Sequence, residues 1–158
     1  MWYSLFKWIK GINNCMTEDI LFYKEYSIKS RDFVHAGEAS LDLKNILKNI
    51  GFNTAAIRRV AVASYEAELN TVMYGKKGKM SVTLRPDGVY LVFSDEGPGI
   101  PDIDLAMTEG YSTATDELRE MGFGAGMGLP NIKKNSDEFN ITSKVGEGTR
   151  LEIFIKNK

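Results

Sequence analysis

Apolar and polar residues alternate along several stretches of the chain, and turns separate these stretches. Met80, Val82 and Leu84 alternate with polar residues, and the turn at residues 85–88 leads into a second apolar run that ends at Phe93. A period of two residues is typical of a strand that buries one face. The pattern predicts strands near residues 21–28, 79–85, 88–94, 138–144 and 149–156.

Other stretches carry apolar residues at helical spacing. One covers residues 35–50 and a longer one covers residues 54–74, and each is followed by a glycine, the common residue just past a helix end. Either Asn53 or Thr54 is able to cap the second helix through its side-chain oxygen. Shorter helices are predicted near residues 103–108 and 130–137.

Together these elements predict an α/β (α+β) two-layer sandwich. The sheet is expected to be mixed and mostly antiparallel, with the helices on one of its faces. At 158 residues and 43% hydrophobic content, the chain has the size of one globular domain with a real core. We therefore assign residues 16–158 to a single domain.

Residues 1–15 form a separate segment, in which Leu5 and Ile9 belong to a helical apolar pattern interrupted by lysines. Three interpretations stay open: a membrane-surface helix, a partner-docking helix, and a translated leader before a true start at Met16. The segment lacks the uninterrupted apolar core of a signal peptide.

Charge and composition exclude several classes of function. The net charge is -1 and no long basic run occurs, which argues against binding nucleic acid through its phosphates. One cysteine and one histidine are too few for a disulfide framework or a zinc cluster, and we do not expect a Cys/His or Ser/His catalytic pair. The single histidine, His35, is interpreted as a surface or capping residue. No apolar run approaches the roughly 20 residues that span a bilayer, so we expect a cytoplasmic protein.

The strand predicted at residues 88–94 ends abruptly in a carboxylate followed by alternating glycines. Asp95 is left at the strand end as a fixed hydrogen-bond acceptor, and Gly97 and Gly99 allow close approach of the backbone before Ile100. Such a loop is suited to holding a ligand. A plain tight turn is the alternative interpretation.

A second candidate lies on the helix predicted at residues 54–74. Glu66 and Asn70 are four residues apart, so they project from one face about one turn apart. A carboxylate and an amide oxygen placed in this way are able to converge on one ligand. The alternative is a solvated helical face, but apolar neighbours such as Val62 and Val72 leave little of this helix freely exposed.

The third candidate is a glycine ladder at residues 122–128, with glycine at every second position. Side chains do not obstruct its backbone N–H groups, and Pro130 is well placed to open the next helix, so a phosphate chain is able to lie at the helix start. The ladder is not a Walker A loop, because no Gly-Lys-Ser/Thr follows it. A structural hinge is the alternative. The preceding residues 110–121 are polar and are predicted to form a mobile flap.

In their order along the chain, the candidates resemble the motifs of one nucleotide-binding domain, the GHKL or Bergerat fold. That domain is shared by gyrase-type topoisomerases, a heat-shock chaperone, histidine kinases and MutL-like ATPases. The resemblance covers roughly residues 20–156. The similar motifs in this chain are Glu66-x-x-x-Asn70, Asp95-x-Gly97-x-Gly99, Gly122 to Leu129 and Gly146-x-Gly148-Thr149.

Within that superfamily the chain is most similar to the anti-sigma regulatory serine/threonine kinases, and particularly to RsbT-like switch kinases. RsbW- and SpoIIAB-like anti-sigma factors share the motifs but match less well around Leu129-Pro130. The closer match lies in residues 95–103, 110–113, 126–130 and 137–139.

The resemblance implies a role for each motif. Asp95 would accept a hydrogen bond from the adenine amino group, with Thr149 assisting through water. Asn70 would bind Mg²⁺, and Glu66 would be the general base that accepts the proton of a seryl or threonyl hydroxyl. Residues 110–121 would be the ATP lid. The residues implied in nucleotide binding are Asn70, Asp95, Gly97, Gly99, Ile100, Gly122, Gly124, Gly126, Met127, Gly128, Leu129 and Thr149.

The implied function is a protein kinase that uses ATP and Mg²⁺ to phosphorylate a STAS-domain anti-sigma-factor antagonist. Its pathway is expected to be a partner switch that controls a sigma factor or a stress response, with a sigma factor or a downstream phosphatase as a further partner. Two alternatives stay open: a non-catalytic module whose lid is ordered by ATP, and a bare ATPase without a protein substrate. Homodimer formation is also left open. Tyr74 stands where related domains often carry His, and it is expected to line the edge of the site.

Overall fold

The alternating stretches form a five-stranded sheet in the computed structural model, which describes residues 20–158. The strands are β1 (Phe22–Ile28), β2 (Gly78–Arg85), β3 (Gly88–Asp95), β4 (Glu138–Lys144) and β5 (Gly148–Lys156). They lie side by side in the order β1-β2-β3-β5-β4. The leader predicted at residues 1–15 and the start predicted at Met16 lie outside the described residues.

The sheet is antiparallel at each of its strand pairings, as predicted for most of them, and the parallel pairing that a mixed sheet would include is not present among residues 20–158. β5 forms a hairpin with β4 and also pairs with β3, so that Thr149 lies opposite Asp95. Alternation along a strand indicates which face is buried, but it carries no information on the direction of the neighbouring strand. The register brings the closing Gly-x-Gly-Thr motif beside the first glycine motif.

The helices among residues 20–158 are α1 (Glu38–Ile50), α2 (Thr54–Tyr74), α3 (Ile103–Ala106), α4 (Asp116–Glu120) and α5 (Gly128–Lys134). α2 has the predicted bounds. Its first turn is capped by Asn53, whose side-chain oxygen accepts a hydrogen bond of 2.8 Å from the N–H of Ala55.

Two helices begin at other residues than predicted. α1 begins later, at Glu38, because Gly37 adopts a left-handed φ of 94° just before it. The last helix covers Gly128–Lys134 and not residues 130–137. Pro130 therefore lies in the first turn, where its missing N–H removes no helical hydrogen bond.

α1 and α2 pack on one face of the sheet and close the core. The opposite face is held partly by aromatic packing, because the rings of Tyr90 and Phe154 stack with their centroids 4.2 Å apart. No helix among residues 20–158 combines the length and the apolar character that a membrane crossing requires. The core side chains without solvent exposure include Leu43, Leu47, Val60, Met80, Val82, Leu84, Val89, Leu91, Ile132 and Ile155.

Glu68 joins α2 to the start of α1. Its side chain is 3% exposed, and its carboxylate accepts hydrogen bonds of 2.9 Å from the backbone N–H groups of Gly37 and Ser40. α1 has no side-chain cap from its own N-cap residue, and the first N–H groups of any helix lack helical partners. The carboxylate from α2 satisfies them, so the start of α1 is fixed to the helix that also carries Glu66.

Candidate functional site

A cleft of about 620 Å³ lies between α2, the end of β3 and the segment from α3 to α5. It is lined by Glu66 and by each predicted nucleotide-binding residue except Gly97. Gly97 lies behind the wall, where a Cβ would come 2.7 Å from Oδ1 of Asp95 and from the carbonyl oxygen of Tyr74. Tyr74 lines the cleft, as expected. Motifs that are far apart in the sequence therefore meet at one site.

Asp95 offers a desolvated acceptor at the end of β3. Its Oδ1 accepts a hydrogen bond of 2.7 Å from the N–H of Gly97, and the backbone N–H of Thr149 also bonds to the carboxylate. Burial raises the pKa of this carboxyl above its ordinary value, and the two backbone donors oppose that shift only in part. Burial therefore makes the ionised form of Asp95 costly, and a hydrogen-bond donor on a ligand would offset that cost.

Ser143 on β4 connects the loop that follows Asp95 with the closing motif, and the sequence interpretation missed it. Its hydroxyl accepts the N–H of Ile100 at 2.8 Å and donates to the carbonyl of Gly148 at 2.9 Å. It also lies 2.8 Å from the hydroxyl of Thr149, its neighbour across the β4–β5 pairing. The sequence offered one hint of this role: in a hairpin of the last two strands, Ser143 is a polar residue that lies directly opposite the predicted site residue Thr149.

Glu66 and Asn70 lie beside the start of α5. A Cβ built on Gly128 would come 3.2 Å from the amide atoms of Asn70 and 3.5 Å from Oε2 of Glu66. The other carboxylate oxygen, Oε1, accepts a hydrogen bond of 3.0 Å from Nδ2 of Asn131. The sequence interpretation assigned no role to Asn131, because the contact joins residues that are 65 positions apart.

The glycine ladder packs against the beginning of the polar segment. Gly124 and Gly126 have left-handed φ angles of 83° and 74°. A Cβ on Gly126 would come 2.4 Å from the carbonyl carbon of Gly110, whose N–H donates to the carbonyl of Gly126 at 2.9 Å. Only glycine combines this backbone conformation with so close a contact.

The polar segment of residues 110–121, called the lid below, contains a helix that the sequence interpretation omitted. α4 begins after Thr115, whose hydroxyl accepts the N–H of Leu118 at 3.4 Å. Leu118 is 2% exposed and Ala114 is 8% exposed, so the lid has apolar anchors of its own. A single apolar residue within a polar run is too weak a pattern to predict such an anchor.

Residues 55–158 match the family described as "Histidine kinase-, DNA gyrase B-, and HSP90-like ATPase". The chain belongs to this family. The assignment to the GHKL superfamily is thereby confirmed, and membership of an ATPase family implies that this GHKL domain binds ATP.

Known relatives lie in the anti-sigma regulatory branch. The GHKL chain is 35% identical over 113 residues to "Serine/threonine-protein kinase RsbT" of Bacillus subtilis (strain 168), covering 69% of this chain and 79% of that protein. It is 36% identical over 99 residues to "Anti-sigma F factor" of Priestia megaterium, covering 62% of this chain and 60% of that protein. Among solved structures, "Mycobacterial sensor histidine kinase MprB" is 14% identical, with a TM-score of 0.49 over 87% of this chain and 99% of that chain.

The wall of the GHKL cleft fits a flat nucleotide base. Ile100, Ile141 and Leu151 give apolar surface near Asp95, which is the arrangement expected of a small-molecule site. Gly99 lets the loop pack directly on the turn between β4 and β5, because a Cβ at that position would come 2.2 Å from the carbonyl oxygen of Lys144. The residues present thus provide apolar surface for a ring and a polar atom to orient it.

The lid of the GHKL domain also contacts a loop outside the cleft. Arg31, in the loop after β1, forms an ion pair of 2.8 Å with Glu117 of α4. Phe33 of the same loop stacks on Phe123, which follows directly after the lid, with ring centroids 5.4 Å apart. These two contacts, called the lid latch below, were not predicted from the sequence.

Proposed function

We propose that this protein is a cytoplasmic, ATP-dependent serine/threonine protein kinase of the anti-sigma regulatory type. Its substrate in this proposal is a STAS-domain antagonist protein in a partner-switching pathway that controls a sigma factor or a stress response. The observation that carries the proposal is the placement of the Glu66 carboxylate, which lines an ATP-family cleft beside Asn70 and the start of α5. The 35% identity with a protein named as a serine/threonine kinase supports it.

In this proposal the adenine ring of ATP lies at the Asp95 end of the cleft. Asp95 accepts a hydrogen bond from the adenine amino group, and Thr149 assists through a water molecule. Gly99 and Ile100 form the wall beside the ring. The raised pKa of Asp95 supports this role, because a desolvated carboxylate gains more from a new donor than a solvated one does.

The phosphates lie along the glycine ladder in the same proposal, and Asn70 provides the protein ligand of Mg²⁺. Among residues 20–158 no group of three or more His, Cys, Asp or Glu side chains is able to hold a metal. Mg²⁺ keeps several waters and binds substrate phosphates, so one or two protein oxygens are enough. The ion would neutralise charge on the transferred phosphoryl group.

Glu66 acts as the general base. As the hydroxyl oxygen of the substrate Ser or Thr forms its bond to the γ-phosphorus, its proton passes to the Glu66 carboxylate. The bond from that phosphorus to the β,γ-bridging oxygen breaks, and ADP leaves with the electron pair. Positioning and charge neutralisation supply most of the rate, so one well-placed carboxylate suffices for the proton.

A second candidate function is a non-catalytic module that binds a sigma factor or another partner under the control of ATP. The lid latch favours it, because Arg31 and Phe33 connect the lid to a surface outside the cleft. A nucleotide that orders the lid would then change that surface. The two functions differ in one respect: only the kinase transfers the γ-phosphate.

The experiment that tests the proposal is transfer of labelled γ-phosphate from Mg-ATP to the STAS-domain proteins encoded in the same genome. We expect transfer to one of them, reduced to a small residual rate in Glu66→Gln and in Asn70→Ala. Asn140→Ala, on β4 and outside the cleft, is the matched control and should transfer at the parent rate. Failure to transfer with ATP binding intact would reject the kinase and favour the binding module. Equal partner affinity with and without ATP would reject the module.

A further inference from the structure

Asn131 contacts the carboxylate that the proposed function makes the general base. Its Nδ2 lies 3.0 Å from Oε1 of Glu66. An ionised carboxylate has no hydrogen to donate, so the amide is the donor and the carboxylate is the acceptor. The motif comparison assigned no role to this asparagine.

We propose that Asn131 is a positioning residue for Glu66, an inference that rests on the proposed function. Its amide holds Oε1 and so fixes the rotation of the carboxylate. Oε2 is then the oxygen that receives the proton of the incoming hydroxyl. A long side chain held in one orientation loses less freedom when the substrate arrives, which favours the productive geometry.

The backbone that carries the Asn131 side chain is itself held in place. The next residue, Ile132, has no solvent exposure and anchors α5 in the core. The backbone N–H of Asn131 donates to the carbonyl of Met127 at 2.9 Å. The backbone carbonyl of Asn131 accepts a hydrogen bond from Nδ2 of Asn135, also at 2.9 Å. A donor carried by an anchored helix aims its hydrogen bond more accurately than a donor on a free loop.

Oε2 of Glu66 faces the space that Asn70 shares. The point where a Cβ of Gly128 would stand is 3.5 Å from Oε2 and 3.2 Å from the amide of Asn70. Because residue 128 has no side chain, this space stays open to a ligand. The hydrogen bond to Oε1 therefore leaves the free side of the carboxylate directed at the proposed phosphate region.

The bond could also serve merely to attach α5 to α2, and kinetics separate the two roles. Asn131→Ala removes the donor, and Asn131→Asp keeps the shape but has no hydrogen to donate when ionised. We expect both to lower kcat for phosphate transfer by about 10- to 100-fold, with the KM for ATP within about twofold of the parent. The melting temperature should stay close to that of the parent.

The matched control is Asn140→Ala. Nδ2 of Asn140 donates to Oε2 of Glu152 at 3.0 Å, so this variant removes the same kind of bond outside the cleft. It should leave kcat unchanged. In the Glu66→Gln background, Asn131→Ala should cause no further loss of kcat, because Asn131 acts only through the carboxylate of Glu66.

Each outcome decides the matter. Asn131→Ala with the parent kcat would overturn the inference and leave the kinase standing. A loss of kcat that is matched by losses of ATP affinity and thermal stability, or one that multiplies with Glu66→Gln, would assign Asn131 a structural role and overturn the inference. A parent protein that transfers no phosphate would overturn the proposed function itself, and the role of Asn131 with it.

Discussion

Burial and the proposed contact with adenine have opposite effects on the charge of the Asp95 side chain. Burial makes its charge unfavourable, as the raised pKa records, yet the proposed contact with adenine needs the ionised acceptor. Two backbone N–H groups lower the penalty without removing it. A residue under this conflict is expected to trade stability for binding.

Asp95→Asn is expected to weaken ATP binding by about 10- to 100-fold, because a hydrogen bond to a charged group contributes about 1.5 to 3 kcal/mol. The same substitution is expected to raise the free energy of unfolding near neutral pH, since it removes a desolvated charge. Calorimetric titration with Mg-ATP and urea denaturation measure the two effects. ATP affinity equal to that of the parent would show that Asp95 does not contact adenine.

The stability gain from Asp95→Asn should depend on pH. The pKa of Asp95 is raised in the folded protein, so the folded state binds the proton more tightly than the unfolded chain. The penalty is complete above the raised pKa and disappears as the pH falls towards the ordinary value of 3.8. The advantage of the variant should therefore shrink in urea denaturation between about pH 7 and pH 4. An advantage that grows towards acid would contradict this assignment.

At the scale of elements, α2 carries two glutamates with different tasks. Glu66 lines the cleft, whereas Glu68 satisfies the first N–H groups of α1. Glu68→Gln is expected to lower the free energy of unfolding by roughly 2 to 3 kcal/mol, because an amide nitrogen would replace an acceptor in front of backbone donors. Glu66→Gln, the same change on the same helix, should alter it by less than about 0.5 kcal/mol. Urea denaturation of both variants tests the difference, and equal losses would refute it.

The lid latch should slow the opening of the lid. Phe33→Ala removes a ring stack that contributes about 0.5 to 1.5 kcal/mol. Arg31→Ala breaks an exposed ion pair of about 0 to 1 kcal/mol, so its effect should be smaller. Hydrogen exchange of the lid amides is expected to accelerate in both variants, and more in Phe33→Ala.

Lys24→Ala is the control for the lid latch, because it breaks an exposed ion pair of 2.7 Å with Asp42 that involves no lid residue. Lid exchange should be unchanged in this variant. Acceleration of the same size in Lys24→Ala would mean that the lid responds to general loosening and not to the latch.

At the scale of the whole molecule, ATP should stabilise the fold as a unit, because the cleft is lined by helix, strand and lid residues together. At about 100 times its dissociation constant, a ligand that binds only the folded state adds about 2.7 kcal/mol. For a chain of this length we expect a rise in melting temperature of roughly 5 to 10 °C. Thermal scans with and without Mg-ATP measure it. Asn140→Ala should show the full rise, and a comparable rise in Asp95→Asn at the same ATP concentration would contradict the assigned contact.

The sequence predicted the strands, both long helices and the lining of the cleft, because periodicity and glycine spacing are local properties. It did not predict Ser143, Asn131 or the lid latch. Each of these depends on a contact between segments that only the folded chain brings together, such as Asn131 with Glu66. The predicted sheet was mostly antiparallel, but the parallel pairing expected within it does not occur among residues 20–158, since alternation does not encode the direction of a neighbouring strand.

The hydroxyl network around Ser143 constrains the direction of hydrogen donation at the Asp95 end of the cleft. Ser143 receives the N–H of Ile100 and gives its one hydrogen to the carbonyl of Gly148. In this arrangement the hydroxyl of Thr149, 2.8 Å away, donates to Ser143, and the Thr149 oxygen is left as an acceptor towards the cleft. When ionised, Asp95 has no hydrogen to give either. In the proposed function this corner therefore presents only acceptors, and we expect it to favour a purine whose edge presents an amino group over one, such as hypoxanthine, that presents a carbonyl there.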